Sequence, residues 1–266
     1  MTNRCEEINW DYPFCEHPEP TPDLAVSLQI LDTDTTTINW QETGINGTTA
    51  GDGDIVYDTD LETGKTEKID CTRFGSGAYS IPSLVEQLTF ETNAKFILVI
   101  ETAGMFQRLV KHAWWRTANC VLISLGGVPT RACRRFIRRL ADAKKIPVYV
   151  FVDGDPYGFS NIYRTLKVGS GNAAHLNEYF CVPQAHLLGI TPQDIIDYQL
   201  PTHPLKDVDI KRAKDALKND PFILHYRAWQ TALEQMIKMG VRAEQQALAK
   251  HGLNYVIDEY LPRAVV

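Results

Sequence analysis

The chain has 266 residues, 44% of them hydrophobic, which is enough apolar material for one large domain or two small ones and too much for a disordered protein. Six cysteines with no Cys-x-x-Cys spacing argue against a disulfide framework. No uncharged apolar run reaches the roughly 18 residues of a membrane span, and no basic-then-apolar leader opens the chain, so a soluble cytoplasmic protein is expected. The net charge of −6 is uneven: residues 1–60 carry 13 acids and a single base, Arg4, whereas residues 61–266 carry 20 acids and 26 bases, a balance that suits a polyanionic partner.

Residues 1–46 mix acids with Pro13, Pro18, Pro20 and Pro22, and only Leu24 to Leu31 has a strand-like pattern, so this acidic segment is expected to be poorly ordered or an edge attachment. Cys5, Cys15 and His17 have no paired spacing and are not read as a zinc site. Residues 47–93 are glycine-rich around short strand candidates, Asp54 to Tyr57 and Lys68 to Cys71, with Leu61 to Thr66 as a hairpin turn.

From residue 94 to 266 the pattern changes to β-α-β-α-β, which predicts a parallel sheet. Lys95 to Ile100 is an apolar strand that ends on Glu101, and a helix pattern runs from Gly104 to Val110. Cys120 to Leu125 is a second strand, closed by a Gly-Gly turn. In the helix predicted over residues 130–144, Cys133, Phe136, Ile137 and Leu140 fill one arc, while Arg131, Arg134, Arg135, Arg138 and Arg139 fill the other. Only Asp142 is available there as an acidic partner, so this face is read as a phosphate-contacting, DNA-binding surface.

Pro147 to Val152 is a third strand without polar alternation, as in a central parallel strand, and it ends on Asp153-Gly154-Asp155. Carboxyl ends of strands are where α/β sheets bind ligands. Two adjacent carboxylates call for a metal, a shared proton or water, and Mg²⁺ (or Mn²⁺) is the natural ion for one or two carboxylates with water and phosphate. Asp-x-Asp also occurs in solvated turns, and Glu101 can alternatively cap the next helix or pair with Arg108. Beyond this unit the pattern predicts a helix from Tyr157 to Val168, a short strand from Glu178 to Val182 and a helix from Pro183 to Leu188. The helical tail follows: Asp207 to Lys218, Pro221 to Met239 and Val241 to His251. His175, His186 and His203 are read as structural.

Four ordered blocks resemble the Toprim domain of the A subunit of archaeal DNA topoisomerase VI and its relative, the eukaryotic meiotic double-strand-break protein. They are Ile100 to Leu109, Gly127 to Arg131 with Arg134-Arg135-Phe136, Val152 to Gly158, and Glu259-Tyr260-Leu261-Pro262. The resemblance implies an α/β Toprim sheet with flanking helices, preceded by a β-rich connector and followed by a helical tail. It maps the family's catalytic metal-binding acids onto Glu101, Asp153 and Asp155. It also implies a type IIB topoisomerase that breaks and rejoins double-stranded DNA, expected as a nucleoid-associated homodimer partnered by an ATP-binding B subunit. Thr102 stands where that family often has a lysine. The family's nucleophilic tyrosine, in an Arg-x-x-Tyr-Tyr-like pattern ahead of the connector, is not found: Tyr12 is the sole tyrosine before Tyr57. The expectation is that another chain supplies it. The alternatives are a non-catalytic dimeric DNA-binding Toprim paralogue and a metal-dependent Toprim nuclease.

Overall fold

The structure, a computed structural model, describes residues 44–46, 54–74, 77–169 and 176–265. The readings made for Cys5, Tyr12, Cys15, His17, the Leu24 to Leu31 strand and His175 lie outside the described residues.

Strand β1 (Gly44–Asn46) is followed by the hairpin of β2 (Ile55–Thr59) and β3 (Thr66–Asp70), then by β4 (Tyr79–Ser80) and β5 (Leu88–Glu91). The hairpin turn forms because the Asp60 carboxylate accepts the backbone N–H groups of Glu62 and Thr63 while Gly64 takes φ 68°, a left-handed value that favours glycine. β5 pairs with the other edge of β2, giving a three-stranded antiparallel sheet.

The second half alternates as the sequence predicts. β6 (Phe96–Ile100) leads to α1 (Ala103–Lys111) and α2 (Trp114–Ala118), and β7 (Cys120–Ser124) leads to α3 (Arg131–Lys144). β8 (Val148–Phe151) is followed by a helix with a π-type first part, Gly158–Tyr163, and an α-helical end, α4 (Arg164–Val168). Next come α5 (Asn177–Phe180) and β9 (Ala185–Gly189). Strands β7, β6, β8 and β9 pair in parallel in that order, and β1 and β4 extend the β7 edge antiparallel. The tail adds α6 (Pro192–Asp197), β10 (His203–Pro204), α7 (Asp207–Asn219), α8 (Pro221–His225), α9 (Arg227–Met239) and β11 (Val241–Arg242). A 3₁₀ turn over Gln245–His251, a π turn over Val256–Tyr260 and α10 (Leu261–Ala264) complete it.

Period-two alternation divides the sheet residues between two cores. Ile97, Val99, Val121, Ile123, Val148 and Val150 pack with Phe136, Ile137 and Leu140 of α3 and with Trp229 and Leu233 of α9. Phe96, Leu98, Ile100 and Leu122 pack with Phe106, Leu109 and Trp114 on the other face, where Leu248 and Tyr260 of the tail also sit. Val56, Val85 and Leu88, from the small sheet and the loop that leads into β5, belong to the first core, and Phe90 meets Phe136 edge-on at 5.0 Å. The four cysteines among the described residues are free and buried.

Four expectations are corrected. Residues 185–189 form a strand rather than a helix, and residues 177–180 form a helical turn rather than a strand. The segment after Gly240 enters as a short strand paired with β10 before its 3₁₀ turn. The arginine row of α3 does not face solvent: Arg134, Arg135 and Arg138 are only 5%, 7% and 4% exposed, and Arg131 and Arg139 are half-buried. Arg135 bonds Glu86 at 2.7 Å and the Tyr179 carbonyl at 3.2 Å. Arg138 pairs with Asp142 and donates to the Cys181 carbonyl at 3.0 Å, and Arg139 donates to the Val85 carbonyl. The Arg134 guanidinium lies 5.9 Å from the centre of the Phe180 ring. The residues around Val85 and the α5 turn cover this side of the helix, so Arg135, Arg138 and Arg139 brace it from within instead of forming the open face expected from the sequence.

Arg138→Ala is therefore expected to cost about 2 kcal/mol in chemical denaturation, because it removes the buried donor of the Cys181 carbonyl, while the partly exposed Asp142 keeps its bond from Gln184. An arginine on a solvated surface would cost under about 0.5 kcal/mol.

Candidate metal centre

β6 is the first parallel strand, β7 lies on one side of it and β8 on the other, so the strand order reverses between β6 and β8. A crevice opens at the carboxyl ends of two strands where their connections leave in opposite directions. Glu101 ends β6 and Asp153 follows β8, which places both acids at that crevice. The two strand ends are tied together, since the Glu101 N–H donates to the Phe151 carbonyl at 3.0 Å and the Asp153 N–H donates to Glu101 Oε2 at 3.0 Å.

Each acid has one oxygen held by a backbone N–H. Glu101 Oε2 takes that of Asp153, Asp153 Oδ1 takes that of Gln245 at 2.8 Å, and Asp155 Oδ1 takes that of Gly158 at 2.7 Å. The last bond is of the helix-capping kind and starts the helix that Pro156 opens. Asp155 Oδ2 lies 3.8 Å from Arg242. Among the described residues, Glu101 Oε1 and Asp153 Oδ2 accept no hydrogen bond.

Two glycines make this packing possible. A Cβ on Gly158 would stand 2.6 Å from the Asp153 carbonyl oxygen and 3.3 Å from Glu101 Oε2. A Cβ on Gly154 would lie 3.0 Å from Ile190 Cγ2 and 3.3 Å from the Ala243 carbonyl, where Gly154 and Ala243 exchange backbone hydrogen bonds.

Burial, together with the charges of Asp153 and Asp155, pushes the Glu101 carboxyl up to about 8. Burial and the negative charges of Asp155 and Glu244 push Asp153 up to about 6, against the bond from the Gln245 N–H. Asp155 is raised chiefly by burial. Carboxylates crowded in this way favour a compensating cation. Among the described residues no three His, Cys, Asp or Glu side chains close on one point as a metal cage. The donors are oxygens alone, and the unbonded oxygens of Glu101 and Asp153 are of the kind that a hard divalent ion takes together with several of its waters.

The sequence reading missed Arg242, Glu244 and Gln245, which reach the site from the tail. The alternation of Val241, Arg242, Ala243 and Glu244 is strand-like and was the available signal. Thr102 does not face outward as a phosphate ligand would, because its hydroxyl donates to Gln245 Oε1 at 2.7 Å.

Comparison with known proteins gives two family matches. Residues 96–265 match the Toprim domain shared by the A subunit of topoisomerase 6 and Spo11, and residues 50–94 match the all-beta domain of the DNA topoisomerase VI alpha subunit. The A subunit of type 2 DNA topoisomerase 6 from Methanocaldococcus jannaschii is 61% identical over 197 residues, 74% of this chain and 53% of the relative. Its namesake from Methanothermobacter thermautotrophicus is 41% identical over 198 residues, 73% and 55% of the two chains. That from Halobacterium salinarum is 43% identical over 189 residues, 71% and 51%. The chain spans about half the length of the curated relatives it matches.

Proposed function

The chain belongs to the Toprim family of the topoisomerase VI A subunit, which includes Spo11, and from that premise we propose that it supplies the metal-binding part of a type IIB topoisomerase that breaks and rejoins duplex DNA. The observation that carries this reading is the set of three raised carboxyls at the β6/β8 crevice, each anchored by one oxygen. Glu101, Asp153 and Asp155 would hold Mg²⁺ or Mn²⁺, which when bound offsets the charge of a DNA phosphate and of the oxygen that leaves it. The protein's share is orientation. The N–H groups of Asp153, Gln245 and Gly158 fix one oxygen of each acid, and Arg242 balances part of their charge. The proposal extends to a homodimer that works with an ATP-binding B subunit on nucleoid DNA, a reading supported by the resemblance to topoisomerase VI A subunits.

Strand cleavage with later rejoining needs a nucleophile that stores the phosphodiester energy, and no tyrosine of residues 1–266 stands in an Arg-x-x-Tyr-Tyr pattern. Incubated with end-labelled duplex DNA and Mg²⁺ or Mn²⁺ and then denatured, this chain alone is expected to leave no tyrosine-linked DNA. Addition of a chain that carries the tyrosine should produce the adduct, and only when Asp153 is intact. An adduct formed by this chain alone would reject the division of labour. Nicking by this chain alone without an adduct would favour a hydrolytic Toprim nuclease.

A further inference from the structure

The tail residue Gln245 touches both arms of the acidic crevice. It is fully buried, and its backbone N–H and both ends of its side-chain amide are bonded there. The N–H donates to Asp153 Oδ1 at 2.8 Å, the side-chain Nε2 donates to the Phe151 carbonyl at 2.6 Å, and Oε1 accepts from the Thr102 hydroxyl at 2.7 Å. A carbonyl only accepts, so the contact with Phe151 fixes which end of the amide carries the nitrogen. The Phe151 carbonyl also takes the Glu101 N–H, so the amide joins the end of β8 to the residue beside Glu101 on β6. The crevice between the two strands is thus spanned by one side chain from a segment outside the sheet.

We propose that Gln245, with Thr102 as its partner, is the positioning residue that sets the separation of Glu101 and Asp153. The Thr102 hydroxyl therefore acts through the amide rather than on a phosphate. The proposal rests on the reading of these acids as a cation site. Outer partners that orient metal ligands typically change affinity by about 10- to 100-fold when removed, without contributing a ligand themselves.

The test uses the full chain with Mn²⁺ as the probe, its binding followed by loss of the free-ion paramagnetic resonance signal and by the line shape of the bound ion. Thr102→Val keeps the shape and removes the hydroxyl, Thr102→Ser keeps the hydroxyl, and Gln245→Leu removes both ends of the amide. Thr102→Val and Gln245→Leu are expected to weaken Mn²⁺ binding by about 10-fold or more and to broaden the bound-ion spectrum, while Thr102→Ser restores both readouts. Gln245→Leu buries an unsatisfied carbonyl and can fail to fold, in which case the Thr102 pair decides alone. If Thr102→Val folds and binds Mn²⁺ with the affinity and spectrum of the parent, Gln245 is only a packing residue and the proposal is overturned. If the parent chain and Asp153→Ala bind Mn²⁺ equally, the cation site itself is wrong and both readings fall.

Discussion

Asp153→Ala is expected to weaken Mn²⁺ binding by at least about 100-fold in calorimetry, more than the loss of an outer partner produces, because it removes an oxygen ligand and a charge together. Asp153→Asn separates the two contributions. Asparagine keeps an oxygen where Asp153 Oδ1 accepts the Gln245 N–H at 2.8 Å, so the tail should stay docked while the negative charge is lost. Without metal this variant should be more stable than the parent at pH 8 by about 1 kcal/mol, since it relieves repulsion among Glu101, Asp153 and Asp155. Binding lost with stability gained is the signature of a ligand. Equal Mn²⁺ affinity in the parent, Asp153→Ala and Asp153→Asn would remove Asp153 from the site.

The metal-free chain should have an inverted pH profile, least stable near neutrality. The Glu101 carboxyl is raised from 4.5 to about 8, so the folded state holds its proton more tightly than the unfolded chain. Its contribution is complete below about pH 4.5 and is lost as pH rises to about 8, a fall on the order of 4 kcal/mol. Lys167 does the reverse. Burial lowers its ammonium from 10.5 to about 7, with Nζ held by the carbonyls of Pro183 and Ala185 at 2.6 Å each. Below pH 7 that charged lysine weakens the fold in full, and the penalty is relieved as pH rises from about 7 toward 10.5. Denaturation in EDTA from pH 5 to 9, with Glu101→Gln and Lys167→Met measured alongside, isolates each group as a difference from the parent. Most of the fall between about pH 6 and 8 should vanish in Glu101→Gln, leaving the fall that the raised Asp153 gives up to about pH 6, and the rise above pH 7 should vanish in Lys167→Met. Saturating Mn²⁺ at pH 8 should offset much of the fall in the parent, because ligands that bind only the native state stabilise it. A parent profile flat from pH 5 to 8, parallel to that of Glu101→Gln, would show that Glu101 is not confined as described.

The strands that carry Glu101 and Asp153 were legible because β6 and β8 are uncharged runs, a pattern found where both faces of a strand are covered. β9 was not. Pro183 to Leu188 has no strand alternation, and its state is decided by pairing with β8, a partner distant in the chain. The periodicity of α3 showed which residues lie opposite its apolar side, but not that Val85, Glu86 and the α5 turn cover that side. Gln245 was hidden by good helix formers, Glu244-Gln245-Gln246-Ala247-Leu248, whose local preference is overridden where Ala243 pairs with Gly154.

The bond between Gln245 and Asp153 spans 92 positions of the chain, and this distance sets an order of events during synthesis. A ribosome adding about 5 to 20 residues per second needs roughly 5 to 18 s between the two residues. Strands β6, β7 and β8 emerge before Gln245 and can pair at once, since β7 and β8 each lie beside β6. A nascent polypeptide thus has its parallel sheet before its acidic crevice has a brace, and synthesis of the segment around Gln245 decides when the carboxylates come into register.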